Sequence, residues 1–216
     1  MQFTGFPVAA LDFFDDLEMD NTRSFWEAHK DVYVGSVKAP FESLAEALSP
    51  EFGVFKVFRP HRDVRFAKDK TPFKTHQGAF VRVCDATGWY VELSPRGVRT
   101  GAGFYDASGP RLAAFRAAID HDRSGPQLEK LLRSLARKGF EVGGDRLKTS
   151  PRGYAADHPR IELLRHRSLV LGRSLGFEPV IHTPAVLEII REDWRTLRPL
   201  VSWVAEHCEP RAGLEG

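Results

Sequence analysis

Residues 79–105 read AFVRVCDATGWYVELSPRGVRTGAGFY, and the period of this stretch decides the fold. Three short runs rich in Val and aromatic residues, AFVRVC (79–84), WYVELS (89–94) and VRTGAGFY (98–105), are separated by turn chemistry at Thr87-Gly88 and at Pro95-Arg96-Gly97. Charged and apolar residues alternate through Phe80-Val81-Arg82-Val83 and Tyr90-Val91-Glu92-Leu93, as they do in a sheet with one packed face and one wet face. VFKVF (54–58) adds an earlier run, and Thr71-Pro72 marks a turn before the next. The reading is an antiparallel meander from about residue 54 to 105.

Outside this block the period becomes helical. Leu11, Phe14 and Leu17 mark a short first helix, and Asn21 is a candidate N-cap for a second. Trp26, Tyr33, Val37, Phe41, Leu44 and Leu48 then recur at steps of three, four or seven, placing one apolar stripe on a long helix that Pro40 should kink or split. After the meander, Leu112, Phe115 and Ile119 define one helix and Leu128, Leu131, Leu132 and Leu135 another. Ser124 and Gln127 stand at capping-box spacing before the second, with Pro126 in its first turn and Gly139 past its end. FEVGG (140–144) and SLVLGRSL (168–175) read as extra strands at about 140–175, with a short helix near 160–165 between them. Thr183 and Pro184 open a last helix striped by Leu187, Ile190, Trp194, Leu197 and Val201, with Pro199 inside it. Helices, a block of strands and then helices again predict an α+β fold: an antiparallel sheet packed with helices from both termini, in a single domain over 1–208 with a frayed tail at 209–216.

A chain of 216 residues, 42% hydrophobic and 28% charged, can bury a real core. No apolar run approaches the roughly 20 residues a membrane-spanning helix needs, and the N-terminal residues lack the basic start and cleavage site of a signal peptide. Cys84 and Cys208, far apart and without CxxC spacing, suit neither a zinc site nor a disulfide scaffold. These features predict a cytoplasmic protein with no membrane partner, and they leave its oligomeric state open. The formal charge of +2 conceals two basic segments: residues 59–76 hold six Lys/Arg against two acids, and residues 146–173 hold seven against two. Brought together, they would make a local positive field.

The first segment, FRPHRDVRFAKDKTPFKTH (58–76), mixes the guanidinium forks of Arg59, Arg62 and Arg65 with the ammonium groups of Lys68, Lys70 and Lys74, a set suited to phosphate or carboxylate. Asp63 and Asp69 are spaced to orient these cations, and a turn at Thr71-Pro72 would place Arg65 and Lys74 on adjacent strands. The competing reading is a solvated hairpin with internal ion pairs and with Val64, Phe66 and Phe73 turned inward. In the second segment, RLKTSPRGYAADHP (146–159), Lys148 and Arg152 could extend a positive pocket, and Asp157 could hold His158 as a base, although a turn leading into a helix is the simpler account. Gly101 and Gly103 lack the dinucleotide-binding fingerprint and fit close backbone packing better. The eight histidines show no ligand spacing, so no metal and no cofactor is expected.

Arg62-Asp63-Val64-Arg65-Phe66-Ala67-Lys68-Asp69-Lys70-Thr71-Pro72-Phe73-Lys74-Thr75 resembles the signature of the family called domain of unknown function 2461, Arg-Asp-x-Arg-Phe-Ser-Lys-Asp-Lys-x-Pro-Tyr-Lys-Thr. The likeness extends to NTRSFWEAHKDVY (21–33), GAGFY (101–105) and LKTSPRGYAADHP (147–159), nearly the whole chain. Ala67 stands where the family has Ser and Phe73 where it has Tyr, so a hydroxyl at either position is not required here. The resemblance implies no particular activity, and whether the protein is an enzyme stays open. The function expected is a basic pocket for a small anionic ligand, built from Arg62, Asp63, Arg65, Lys68, Asp69, Lys70 and Lys74 together with Lys148 and Arg152. The alternatives are a structural or protein-interaction domain with the motif as internal ion pairs, and a weak nucleic-acid-binding module. Near-neutral net charge and the lack of a helix-turn-helix, zinc-finger or RNA-recognition signature count against the last.

Overall fold

The computed structural model describes residues 2–65, 68–105 and 109–208. It is an α+β protein built on a six-stranded antiparallel sheet. The strands are β1 (Phe55–Val57), β2 (Gln77–Cys84), β3 (Thr87–Ser94), β4 (Gly97–Phe104), β5 (Glu141–Gly143) and β6 (Leu169–Gly176). Their order in the sheet is β1-β2-β3-β4-β6-β5. Phe55, Lys56 and Val57 of β1 pair with Val81, Phe80 and Ala79 of β2, while Glu141, Val142 and Gly143 of β5 pair with Gly172, Leu171 and Val170 of β6. The meander is therefore β1–β4, and the later chain adds both remaining strands beyond β4.

The turn between β2 and β3 falls at Asp85-Ala86, two residues earlier than the Thr87-Gly88 pair suggests. Ala86 takes the left-handed conformation there (φ 55°), the one non-glycine described residue to do so, and Thr87 and Gly88 become buried strand residues. Gly103 confirms the close-packing reading of its segment. Its φ is +141°, and a Cβ would come 2.2 Å from the Leu169 carbonyl oxygen, so only glycine lets β4 lie this near β6.

The chain resolves into two compact units. Unit 1 comprises residues 1–81, 90–100 and 174–193, and unit 2 comprises 82–89, 101–173 and 194–216. Strands β2, β3, β4 and β6 each begin in one unit and end in the other.

In unit 1, α1 (Val8–Met19), α2 (Arg23–Val32) and α3 (Ala39–Phe52) carry the expected apolar stripes inward: Leu11, Phe14, Leu17, Trp26, Tyr33, Val37, Phe41, Leu44 and Leu48 are all buried. Helical backbone is continuous from Arg23 to Phe52, with Pro40 in the first turn of α3. Residues Tyr33–Lys38 widen into a π-helical turn, in which the Ala39 N–H donates to the Val34 carbonyl five residues back, just ahead of the proline that cannot donate. The cap of α2 is Thr22, whose hydroxyl accepts from the Phe25 N–H at 3.2 Å, and not Asn21. Unit 2 contains α4 (Gly109–Asp120), α5 (Ser124–Arg137) and the four-residue α6 (Ile161–Leu164). Phe104 meets Phe115 edge-on at 4.8 Å, and Leu128, Leu132 and Leu135 line the buried side of α5. The capping box foreseen at Ser124 does not form. Ser124 lies inside the helix and donates instead to the Ala118 carbonyl at 2.6 Å, tying α5 back to α4.

The last helix, α7 (Ala185–Cys208), starts in unit 1, where Thr183 accepts from the Ala185 N–H as its sequence position foretells. It runs through Pro199, which sits exposed on its outer side. Among the described residues no helix is long and apolar enough to cross a membrane. The expected tail at 209–216 lies outside the described residues.

Candidate functional site

The first basic segment belongs to unit 1, as the excursion between β1 and β2. Its two arms approach each other at an isolated antiparallel bridge between His61 and Phe73. The Arg62 N–H donates to the Pro72 carbonyl and the Lys74 N–H to the Pro60 carbonyl, both at 2.8 Å. Lys74 is thus opposite Pro60, and Arg65 lies beyond the bridge in an irregular tip, so the pairing of Arg65 with Lys74 on adjacent strands is not formed. The physical reason is that the two prolines, lacking N–H groups, leave room for only a single bridge.

Side-chain alternation then sorts the segment. Of the two bridge residues, Phe73 is buried against the helices and His61, although exposed, touches the same aromatic group. Phe73, 3% exposed, stacks on Trp26 with ring centroids 4.2 Å apart and planes within 8°, and His61 lies 5.1 Å from Phe73 and 6.0 Å from Trp26. Asn21 clamps the same residue from the start of α2: its Nδ2 donates to the Phe73 carbonyl at 3.0 Å and its Oδ1 accepts the Phe73 N–H at 3.1 Å. The resemblance-bearing stretches 21–33 and 62–75 are therefore one structural unit, with Asn21 and Trp26 holding Phe73. The inward packing foreseen for Phe73 is present; Val64 is half-buried; Phe66 and Ala67 lie outside the described residues.

On the other side of the bridge the charges arrange themselves in two local knots. Arg65 grips Asp63 with both arms, Nε to Oδ1 at 2.9 Å and Nη2 to Oδ2 at 2.6 Å. That guanidinium, helped by the Arg65 backbone N–H, holds the Asp63 carboxyl below the usual carboxylate range. Asp69 accepts the Thr71 N–H at 2.9 Å and pairs with Arg62, which also donates to the Thr71 hydroxyl at 2.9 Å; the bonds from Thr71 lower its pKa most. The prediction that the two acids order neighbouring cations is met in geometry. These groups are exposed, however, with 77% of the Arg65 side chain and 57% of the Asp69 side chain open to solvent. Lys70 donates to the Val64 carbonyl at 2.9 Å and closes the tip; Lys68 is exposed.

Lys74 differs from the rest. It is half-buried, its Nζ donates to the Arg59 carbonyl at 3.1 Å, and it stands over the Phe58 ring at 5.4 Å from the centroid. Burial, and then the charges of Arg59 and Arg62, hold its ammonium below the ordinary lysine range. Arg59, one of the three guanidinium groups of the basic segment, joins this cluster through its carbonyl, which accepts from Lys74, and through its charge beside the Lys74 ammonium.

The second basic segment belongs to unit 2. Lys148 and Arg152 are exposed, and neither has a hydrogen bond or ion pair among the described residues. The pairing of Asp157 with His158 is replaced by another. His158 Nε2 meets Asp120 at 3.0 Å, and its Nδ1 accepts the Arg160 backbone N–H at 3.0 Å. A ring whose Nδ1 accepts must carry its hydrogen on Nε2, which therefore donates to Asp120. Both nitrogens are occupied, so His158 has no lone pair to offer as a base. Arg160 completes the contact, donating from Nε to the Ile119 carbonyl at 2.7 Å and from Nη2 to the Asp120 carbonyl at 2.8 Å. The turn at 155–160 caps the C-terminus of α4. Among the described residues no group of three His, Cys, Asp or Glu side chains is placed to hold a metal ion.

The family model described as conserved hypothetical protein (DUF2461) matches residues 9–203, and the chain belongs to that family. No curated protein matches it.

Proposed function

We propose that this member of the family binds a small anion, phosphate- or carboxylate-bearing, at the cluster formed by Arg59, Arg62 and Lys74. The observation that carries the reading is the crowding of two guanidinium groups, Arg59 and Arg62, around the half-buried Lys74 ammonium that stands on an aromatic ring, with Asp69 as the one carboxylate bonded to any of the three among the described residues. Like charges gathered in partly desolvated surroundings repel, and an anion seated among them relieves that repulsion. Arg62 keeps donors beyond those used on Asp69 and Thr71, and a guanidinium fork beside an ammonium matches the oxygens of a phosphate. The Asp63–Arg65 pair sits at the rim and is satisfied within itself.

The experiment is a calorimetric titration with inorganic phosphate, paired with a thermal-shift measurement. Phosphate at tenfold its Kd should stabilise the fold by roughly 1.4 kcal/mol. Lys74→Ala and Arg59→Ala should lose that response, while Arg65→Ala should keep it. The same titration tests the architectural reading, which the internal pairs Asp63–Arg65 and Asp69–Arg62 favour: a flat response in wild type together with loss of folding in Arg62→Ala would support it.

A further inference from the structure

Beyond the Phe58 and Tyr90 rings from Lys74, unit 1 carries a second carboxylate, Glu92, and unlike Asp69, which is bonded to Arg62, it has an oxygen that a ligand could engage. The rings of Phe58 and Tyr90 lie side by side, centroids 6.4 Å apart, both over Gly78, where a Cβ would come 2.7 Å from the Tyr90 hydroxyl and 3.2 Å from the Phe58 ring. Lys74 stands on the Phe58 end of this platform. At the other end the Tyr90 hydroxyl donates to Glu92 Oε2, and burial, with the Glu92 charge next, pushes the phenol pKa strongly up, so it stays a donor. His76 Nε2 lies 3.9 Å from the same oxygen, beyond hydrogen-bond reach. Glu92 Oε1 has no hydrogen bond among the described residues, and the side chain keeps 24% exposure. The carboxylate is thus anchored through one oxygen and presents the other.

Resting on the anion reading above, we infer that the ligand is zwitterionic, its anionic group held by Lys74, Arg59 and Arg62 and its ammonium group held by Glu92 across the Phe58–Tyr90 platform. A bare anion is repelled by Glu92, an effect that Arg99, whose charge is felt at Tyr90, offsets in part, whereas an ammonium pairs with the Glu92 oxygen that takes no hydrogen bond among the described residues.

The test compares two probes that differ by one amino group, ethyl phosphate and 2-aminoethyl phosphate, by calorimetry on the full chain. The aminated probe should bind about tenfold more tightly, which corresponds to roughly 1.4 kcal/mol. Glu92→Gln keeps an oxygen for the Tyr90 hydroxyl and should bring the two probes to within about twofold. Equal binding of both probes by wild type overturns the zwitterion inference while leaving the anion site standing, and so does a preference that survives in Glu92→Gln. Binding of neither probe overturns both readings. The wild-type comparison needs no variant, so the inference can be broken even if Glu92→Gln does not fold.

Discussion

Between Arg59 and His76 six cations face two acids, and between Arg146 and Arg173 seven face two, yet the two segments reach different electrostatic ends. The unit 2 segment draws counter-charge and acceptors from beyond itself: Arg167 pairs with Asp145 at 3.0 Å, His158 with Asp120, and Arg160 spends its guanidinium on the carbonyls ending α4. Within the segment Glu162 serves both Arg165, at 2.7 Å, and Arg146, at 3.8 Å. The unit 1 segment satisfies Arg62 and Arg65 with its own Asp69 and Asp63, and offers Lys70 and Lys74 only backbone carbonyls. The difference lies in where the partners come from: the unit 2 segment ties its arginines to groups beyond itself and leaves Lys148 and Arg152 exposed, whereas the unit 1 segment pairs both of its acids within itself and keeps Lys70 and Lys74 on backbone carbonyls.

This contrast can be broken experimentally. The largest effect belongs to the anchor of the unit 1 segment: Phe73→Ala removes a fully buried ring from beneath Trp26 and should cost about 3–5 kcal/mol in urea unfolding. A loss under about 1 kcal/mol would mean the segment is not held by that stack. Next, Arg160→Ala should cost about 1–3 kcal/mol, because the Ile119 and Asp120 carbonyls lose their donors. An unchanged thermal midpoint in that variant would return Arg160 to the pool of free surface charge.

The smallest effect is a difference in acid response. His166, 2% exposed, is held below the ordinary histidine pKa, chiefly by burial and against a bond from its Nδ1 to the Ser168 carbonyl at 2.9 Å. The folded state then takes up its proton less readily than the unfolded chain, so its contribution is present above pH about 6.5 and fades as the pH falls below that value. Asp63 and Asp69, with lowered pKa values, stay charged until the pH drops below about 4. Urea midpoints should therefore decline between pH 7 and 5 in wild type and decline less in His166→Asn. Equal slopes would remove His166 from the account.

Much of the architecture is legible from period alone. The residues from Trp26 to Leu48 that recur at helical spacing are buried, and the three apolar runs of 79–105 form β2, β3 and β4, because a 3.6- or 2-residue repeat of apolar side chains has only one element that can bury it on one face. What failed were local signals with more than one solution. Ser124 has capping-box spacing, but a buried carbonyl at Ala118 competes for its hydroxyl; Asn21 could cap α2, but Phe73 offers both a donor and an acceptor, and Thr22 is left to cap. The cluster was half legible. Arg59, Arg62 and Lys74 stand out in the basic segment, while His76, Tyr90 and Glu92 join only because β3 is brought alongside β2 and the arms of the segment close at His61 and Phe73.

The sequence by itself determined the α+β class, the stripes of the helices, the existence of the meander and the family, since each follows from short-range repetition or from a long contiguous motif. Only the tertiary structure decided which polar group pairs with which. Asp63 and Asp69 turn to cations two and seven residues away in the chain, whereas His158 reaches Asp120 and Asn21 reaches Phe73 across 38 and 52 residues. A hydrogen bond depends on distance and direction in space, and no pattern of neighbours along the chain encodes either.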